Sequence, residues 1–116
     1  MASANQVEAK LRQLVNRLAE ADRKVHSDLD RTLASPRVIQ MDVPDLERSY
    51  WSELSGGRMD GVHRGEAARA DIRITADSDD LVALIDGTKP LFSSYLAGHV
   101  RVQASVSDLL ALRRLM

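Results

Sequence analysis

The sequence ADIRITA at residues 70–76 alternates apolar and polar side chains, which is the pattern of a β-strand with one buried face. The next segment, DSDDLVALIDG at residues 77–87, opens with Asp77 and Ser78, either of which can cap a helix N-terminus. It ends in Gly87, which suits the left-handed conformation that closes many helices. A strand that passes directly into a capped helix predicts a domain that mixes sheet and helix.

Downstream of this unit, the chain predicts one more strand between two helices. Pro90 suits the first turn of a short helix that stops at Gly98. Residues 99–104 alternate again and predict a strand. Ser105, with Asp108 three residues later, predicts the cap of a leucine-rich final helix.

Upstream, the first segment carries apolar side chains at helical spacing and predicts a helix over residues 5–22. Asn5 and Glu8 have the spacing of a capping box at its start. Leu29 and Leu33 continue the helical spacing, but the polar run before them is equally consistent with a break.

Between this helix and residue 70 the apolar period changes from near four to two, which predicts three further strands. Residues 37–43 form the first of them, and Pro44 ends it. The second covers residues 47–54, and the glycines at residues 56–57 allow a tight turn into a third over residues 58–64. The order helix, four strands, two helices, strand, helix predicts an α+β fold with helices on one face of a sheet.

Length and composition restrict the function. The chain has 116 residues, no cysteine, 44% hydrophobic residues and a formal charge of −1. We therefore expect one domain over residues 1–116 and exclude disulfide scaffolds and thiolate metal sites. The balanced charge argues against nucleic acid as a partner. No apolar run approaches the roughly 20 residues of a membrane span, and no signal peptide begins the chain, so a cytoplasmic location is expected.

No pattern of catalytic or metal-binding residues stands out. The histidines His26, His63 and His99 lie in different predicted elements without a second ligand at a suitable spacing, so neither a metal nor a cofactor is expected. The weakest of three hypotheses is an enzyme in which Asp71, His63, His99 or Tyr50 moves a proton for an apolar substrate.

The C-terminal third has more aliphatic side chains than short helices usually carry. These residues either fill the core or leave space for an apolar ligand between sheet and helices. On composition and spacing alone, filling of the core is the simpler interpretation.

The ordered set of segments at residues 70–74, 80–87, 96–102 and 108–110 resembles the sterol-carrier-protein type-two domain family, in a small stand-alone bacterial form. This resemblance implies a five-stranded, mainly antiparallel sheet covered on one face by helices. It also implies an apolar cavity between them that binds a fatty acyl chain, a sterol or a related lipid, without catalytic residues. The chain lacks the Ser-Lys-Leu ending of peroxisomal relatives.

The resemblance also implies which side chains line this cavity, namely apolar residues of the short helices, the adjacent strands and the last helix, with Trp51 closing one end. These residues are Trp51, Ile72, Ile74, Leu84, Ile85, Leu91, Phe92, Tyr95, Leu96, Val100, Val102, Leu109 and Leu112. Replacement of Leu96 or Ile85 by glutamine is then expected to weaken lipid binding in a chain that still folds.

The leading hypothesis is accordingly a non-enzymatic protein that binds or carries a hydrophobic small molecule. The alternative is an interaction module with the same fold and a collapsed cavity, which uses its exposed apolar rim to form a homodimer or to bind an enzyme. Contact with membranes is expected to be transient at most.

Overall fold

The computed structural model describes residues 2–20, 36–55 and 58–108. It shows the predicted α+β architecture, and residues 106–108 are also helical. The elements in chain order are α1 (Ala4–Ala19), β1 (Arg37–Val43), a 3-10 turn (Pro44–Leu46), β2 (Arg48–Ser55), β3 (Arg58–Met59), β4 (His63–Arg64), β5 (Ile72–Ala76), α2 (Ser78–Asp86), α3 (Leu91–Leu96) and β6 (Val100–Gln103).

Helix α1 begins one residue earlier than predicted, and its cap differs. Ser3 rather than Asn5 is the N-cap, because the Ser3 hydroxyl accepts from the Gln6 amide while the Gln6 side chain accepts from the Ser3 amide. The prediction that Asn5 and Glu8 form the capping box is therefore wrong. The predicted continuation through Leu29 and Leu33 lies outside the described residues.

The strands form one sheet in the order β3-β2-β1-β5-β6, and β4 also pairs with β2. Strands β1 and β5 are parallel, whereas the other pairs are antiparallel, which confirms the mainly antiparallel sheet. The third predicted strand is divided into β3 and β4, so the sheet has six strands instead of five. Asp60 lies at this division, and its carboxylate accepts from the Ser52 hydroxyl and the Glu53 amide. The predicted turn at residues 56–57 lies outside the described residues.

Helices cover one face of this sheet, as predicted. The side chains of Ile39 and Met41 on β1 and of Ile72 and Ile74 on β5 are buried on that face, and their registers place them side by side. They belong to one hydrophobic core with the apolar sides of α1 and α2. The buried residues of the two helices are Val7, Leu11, Leu14 and Leu18 on α1, and Leu81, Leu84 and Ile85 on α2.

The opposite face is polar and carries the connection from β4 to β5. Strands β4 and β5 run in the same direction, and β2 and β1 lie between them, so residues 65–71 must cross the sheet. The crossing segment is held by hydrogen bonds from the Gly65 amide to the Ser49 carbonyl, from the Ala67 amide to Gln40 and from the Asp71 amide to the Val38 carbonyl. Gln40 alternates in β1 with the core residues Ile39 and Met41 and so points to the opposite face, yet it is fully buried under this connection.

Helix α2 has the predicted bounds, but a distant residue provides its N-terminal hydrogen bonds. Asp77 occupies the N-cap position without a side-chain hydrogen bond to the helix. The carboxylate of Asp45, in the 3-10 turn, instead accepts from the Ser78 amide at 2.9 Å and from its hydroxyl at 2.6 Å. At the other end Gly87 has φ 77°, which confirms the predicted left-handed helix end.

We expect replacement of Asp45 by asparagine to destabilise the domain by about 1 to 2 kcal/mol at pH 7, because the helix loses its charged acceptor. Burial by itself raises the pKa of Asp45, but the hydrogen bonds from Ser78 outweigh burial and lower that pKa below its usual 3.8. The stabilisation by Asp45 is therefore complete above the pKa of the unfolded chain and is lost as the pH falls through the lower pKa of the folded state. Urea denaturation at pH 7 and pH 3 measures this difference.

The exposed Asp77 provides the matched control. Its replacement by asparagine is expected to change the free energy of unfolding by no more than about 0.5 kcal/mol at either pH. Equal effects of the two substitutions would contradict the capping role of Asp45.

Candidate functional site

Five of the predicted cavity residues lie together in the layer between the sheet and α2. They share very low exposure, between 0% and 3%, and belong to the hydrophobic core. We call them the lining cluster: Ile72 and Ile74 of β5, Leu84 and Ile85 of α2, and Val100 of β6. Val102 pairs with Ile74 in the sheet and packs against the core while remaining partly exposed. The sequence-predicted residues of β5, β6 and α2 are thus brought to one place.

Helix α2 is fixed over this layer by contacts from α1. The Lys10 ammonium contacts the Asp86 carboxylate at 2.6 Å, and the Arg17 guanidinium donates to the Ile85 carbonyl at 3.1 Å. Both contacts are at the C-terminal end of α2. The buried apolar residues of both helices belong to one hydrophobic core with those of β1 and β5.

The layer reaches a sheet edge where apolar side chains are exposed to solvent. Strand β6 is the last strand of the sheet on this side. Tyr95 and Leu96 on α3, just before β6, are 43% and 82% exposed, and Val106, just after it, is 75% exposed. We call these three residues the apolar rim. Exposed large apolar groups near a buried apolar layer are typical of ligand or partner sites.

Tyr95 and Leu96 are exposed to solvent, whereas the family resemblance implied that they line the cavity. Helix α3 has six residues, and it turns Ser94 inward, where the Ser94 carbonyl accepts from the His99 amide. Tyr95 and Leu96 consequently face outward. Leu91 and Phe92 form the first turn of α3, and the predicted lining residues Leu109 and Leu112 lie outside the described residues.

Trp51 does not join the lining cluster. It pairs with Gln40 in the sheet, whereas its neighbour Tyr50 pairs with the core residue Met41. Because successive side chains of a strand point to opposite faces, Trp51 lies on the polar face of the sheet. There its ring stacks on His63 with the ring centres 4.2 Å apart. Trp51 therefore lies on the opposite face of the sheet from the lining cluster.

A polar group that the sequence did not indicate lies at the other end of the apolar layer. The Glu8 carboxylate is buried and accepts from Arg64 Nε at 2.6 Å, and Arg12 lies 3.9 Å from the same oxygen. Arg64 is the register partner of Tyr50, so this ion pair lies beside the Tyr50 side chain. Glu8 follows Val7 and precedes Leu11 by three residues, a spacing that already places it at the border of the apolar helix face.

The residues considered for proton transfer do not form one site. The Asp71 carboxylate accepts from the Val38 amide at 2.9 Å, and His63 contacts Asp60 at 3.0 Å. His63 lies on β4, which pairs with β2, whereas His99 directly precedes the opposite edge strand β6. Across residues 2–20, 36–55 and 58–108, no group of three acidic or histidine side chains could hold a metal ion. No helix in these ranges has the length and apolar character to cross a membrane.

Comparison with known proteins gives one family and several solved structures. The model of the SCP-2 sterol transfer family matches residues 8–116. A search of curated proteins finds no significant match.

Several solved structures match over nearly their whole length, and two of them illustrate the similarity. Sterol Carrier Protein 2 Like 2 from Aedes aegypti is 16% identical, with a TM-score of 0.69 and 97% of each chain covered. A ubiquinone synthesis protein described as UbiJ-SCP2 is 22% identical, with a TM-score of 0.67, and the match covers 99% of this chain and 92% of that one. At these identities the similarity establishes the fold.

A third match is part of a larger enzyme. The stereoselective inverting sec-alkylsulfatase from Pseudomonas sp. is 16% identical, with a TM-score of 0.70 over 94% of this chain. The present chain spans only 16% of that enzyme's length. The shared fold therefore occurs both as a separate chain and as a segment of a larger protein.

Proposed function

Since the chain belongs to the SCP-2 sterol transfer family, we propose that it binds a lipid or similar hydrophobic molecule between the sheet and its helices. The observation that carries this proposal is the apolar layer of the lining cluster, which extends from α2 to the edge strand β6, and the residues of the apolar rim precede and follow this strand in the chain. Each methylene of an alkyl chain that leaves water for such a layer gains about 0.8 kcal/mol. The ligand enters past the rim.

The proposed role is binding or carriage without catalysis. Asp71 is engaged by backbone hydrogen bonding, and His63 and His99 lie near opposite edges of the sheet. No two of these residues are positioned to act on one ligand in the apolar layer. Known neighbours agree with lipid binding, since one of them is described as palmitated SCP2L2 from Aedes aegypti, at a TM-score of 0.66.

A binding titration tests the proposed function directly. The chain is titrated with cis-parinaric acid and with dehydroergosterol, two fluorescent lipids of different shape, while native mass spectrometry counts bound molecules. Saturable binding of either probe at one molecule per chain supports the proposal. A dimer that binds neither probe would contradict it and favour the interaction module, in which the apolar rim contacts a second copy.

We further expect replacement of Leu96 by aspartate to slow the association of the probe about fivefold or more, because a charge at the rim must lose water while a ligand passes. Leu96 is 82% exposed, so the free energy of unfolding is expected to stay within about 0.5 kcal/mol of the unaltered protein. Replacement of the exposed Gln13 on α1 by aspartate is the control and should leave binding unchanged. Equal association rates of the two variants, measured by stopped-flow fluorescence, would exclude the β6 edge as the opening.

A further inference from the structure

The hydroxyl of Tyr50 is an unusual polar group in the core. Tyr50 is 1% exposed, and its Oη atom has no hydrogen-bond partner within residues 2–20, 36–55 and 58–108. Buried hydroxyls are nearly always paired, because an unpaired one loses its hydrogen bonds to water without replacement. An unpaired hydroxyl at this position therefore has an unused donor.

This hydroxyl belongs to the same apolar layer as the lining cluster. Tyr50 pairs with Met41 in β1, and Met41 pairs on its other side with Ile74 in β5. Neighbouring strands are about 4.8 Å apart, so Tyr50 and Ile74 are separated on the core face by roughly 10 Å. A ligand lying across the strands from the β6 edge would reach Tyr50 at its inner end.

The surroundings of Tyr50 determine what its hydroxyl can bind. Glu8 lies beside it and is already paired with Arg64 at 2.6 Å. Burial, and next the negative charge of Glu8, raise the pKa of Tyr50 above its usual 10.0, so the hydroxyl stays protonated and acts as a donor at neutral pH. The charge of Glu8, which acts on the Tyr50 hydroxyl more strongly than that of Arg48 or of Arg64 taken singly, also disfavours a second carboxylate at this place. The two ends of the layer thus differ, with a polar end at Tyr50 and an apolar rim at β6.

We propose that Tyr50 determines the ligand class, by donating a hydrogen bond from its hydroxyl to an uncharged oxygen of the lipid, such as an alcohol, sterol hydroxyl or ester carbonyl. This assignment rests on the proposed function and adds the chemical class of the head group to it. The apolar part of the ligand then contacts Ile74 and Val100 and points to the β6 edge.

The test uses diphenylhexatriene, a fluorescent hydrocarbon, displaced by 1-hexadecanol, hexadecane or palmitate. One hydrogen bond corresponds to about a threefold to tenfold gain in affinity. Tyr50→Phe is expected to reduce the affinity for 1-hexadecanol by this factor and to leave diphenylhexatriene and hexadecane within about twofold of the wild-type values. Ser55→Ala removes an exposed hydroxyl from β2, on the face of the sheet opposite to Tyr50, and serves as the control, with no change expected for any of the ligands.

Three outcomes would overturn the assignment while leaving the proposed function intact. They are an unchanged affinity for 1-hexadecanol in Tyr50→Phe, an equal loss for all ligands, which indicates packing alone, and a larger loss for palmitate than for the alcohol. Failure of the wild-type chain to bind any probe would overturn the proposed function together with the assignment.

A measurement on the wild-type chain is independent of the variants' folding. The ¹³Cζ resonance of Tyr50 reports hydrogen bonding of its hydroxyl. We expect it to shift on addition of 1-hexadecanol and to shift less with hexadecane. Identical shifts for the two ligands would contradict the assignment.

Discussion

Replacement of Ile85 by glutamine is expected to lower the free energy of unfolding by about 3 to 6 kcal/mol. Ile85 is 2% exposed, and its side chain lies in the layer between α2 and the sheet. The change removes buried apolar surface and adds an amide for which this layer has no polar partner. Because many domains of this size have a total stability of about 5 to 15 kcal/mol, this loss is a large fraction of the stability of the fold. Urea denaturation followed by circular dichroism measures the effect.

The same substitution at Leu96 is the control. Leu96 is 82% exposed, so Leu96→Gln is expected to change the free energy of unfolding by no more than about 0.5 kcal/mol. The sequence treated the two residues alike, as positions where glutamine weakens lipid binding in a folded chain. The structure separates them, and only Leu96 is expected to give a folded variant for binding studies. Comparable stability of the two variants would mean that the layer holds enough space or water to accept the amide of Gln at position 85.

The elements that the sequence predicted well are determined by local patterns. Strand β1 has the predicted bounds Arg37–Val43, because its alternation is uninterrupted until Pro44. Helix α2 ends at Gly87 in the predicted left-handed conformation, since glycine adopts positive φ without the steric cost of a side chain. Patterns of this kind depend on residues only a few positions apart, so they can be recognised in a single sequence without knowledge of the fold.

The contacts that the sequence did not reveal join residues far apart in the chain. Asp45 caps α2 from 33 positions away, and Arg64 pairs with Glu8 across 56 positions. Each contact requires the sheet order, since β4 must lie beside β2 before Arg64 can reach α1. The contact between Glu8 and Arg64 could therefore be recognised only once the strand order was known.

Helix α3 shows that apolar spacing in a short helix does not determine which of its sides is buried. Its apolar residues have helical spacing, but six residues make fewer than two turns, and the direction of the helix is set by its neighbours. The packing against β6 buries Ser94 and exposes Leu96. Spacing within so short a segment could predict a helix there, whereas it could not predict which side faces the core.

Gln40 is the position at which the second large loss of stability is expected. It is fully buried, its Oε1 accepts from the Ala67 amide at 3.0 Å, and its Nε2 donates to Asp42 at 2.8 Å. Gln40→Leu keeps a similar volume but leaves the Ala67 amide without its acceptor and removes a donor from Asp42. Asp42 keeps the Ser49 hydroxyl as a donor at 2.7 Å, so the unpaired Ala67 amide carries most of the cost. An unpaired amide costs about 1 to 3 kcal/mol, and a net loss of about 2 kcal/mol is expected.

The control at the same sheet face is Gln103→Leu. Gln103 pairs with Arg73, which pairs with Gln40, so both glutamines point to the polar face, but Gln103 is exposed. Its replacement is expected to change the free energy of unfolding by no more than about 0.5 kcal/mol. Hydrogen exchange gives a second readout, because the Ala67 amide should lose protection in Gln40→Leu while the Asp71 amide, bonded to the Val38 carbonyl, retains more of it. If Gln40→Leu is as stable as Gln103→Leu, the crossover does not depend on the buried amide, and backbone hydrogen bonds alone hold the parallel pairing of β1 and β5.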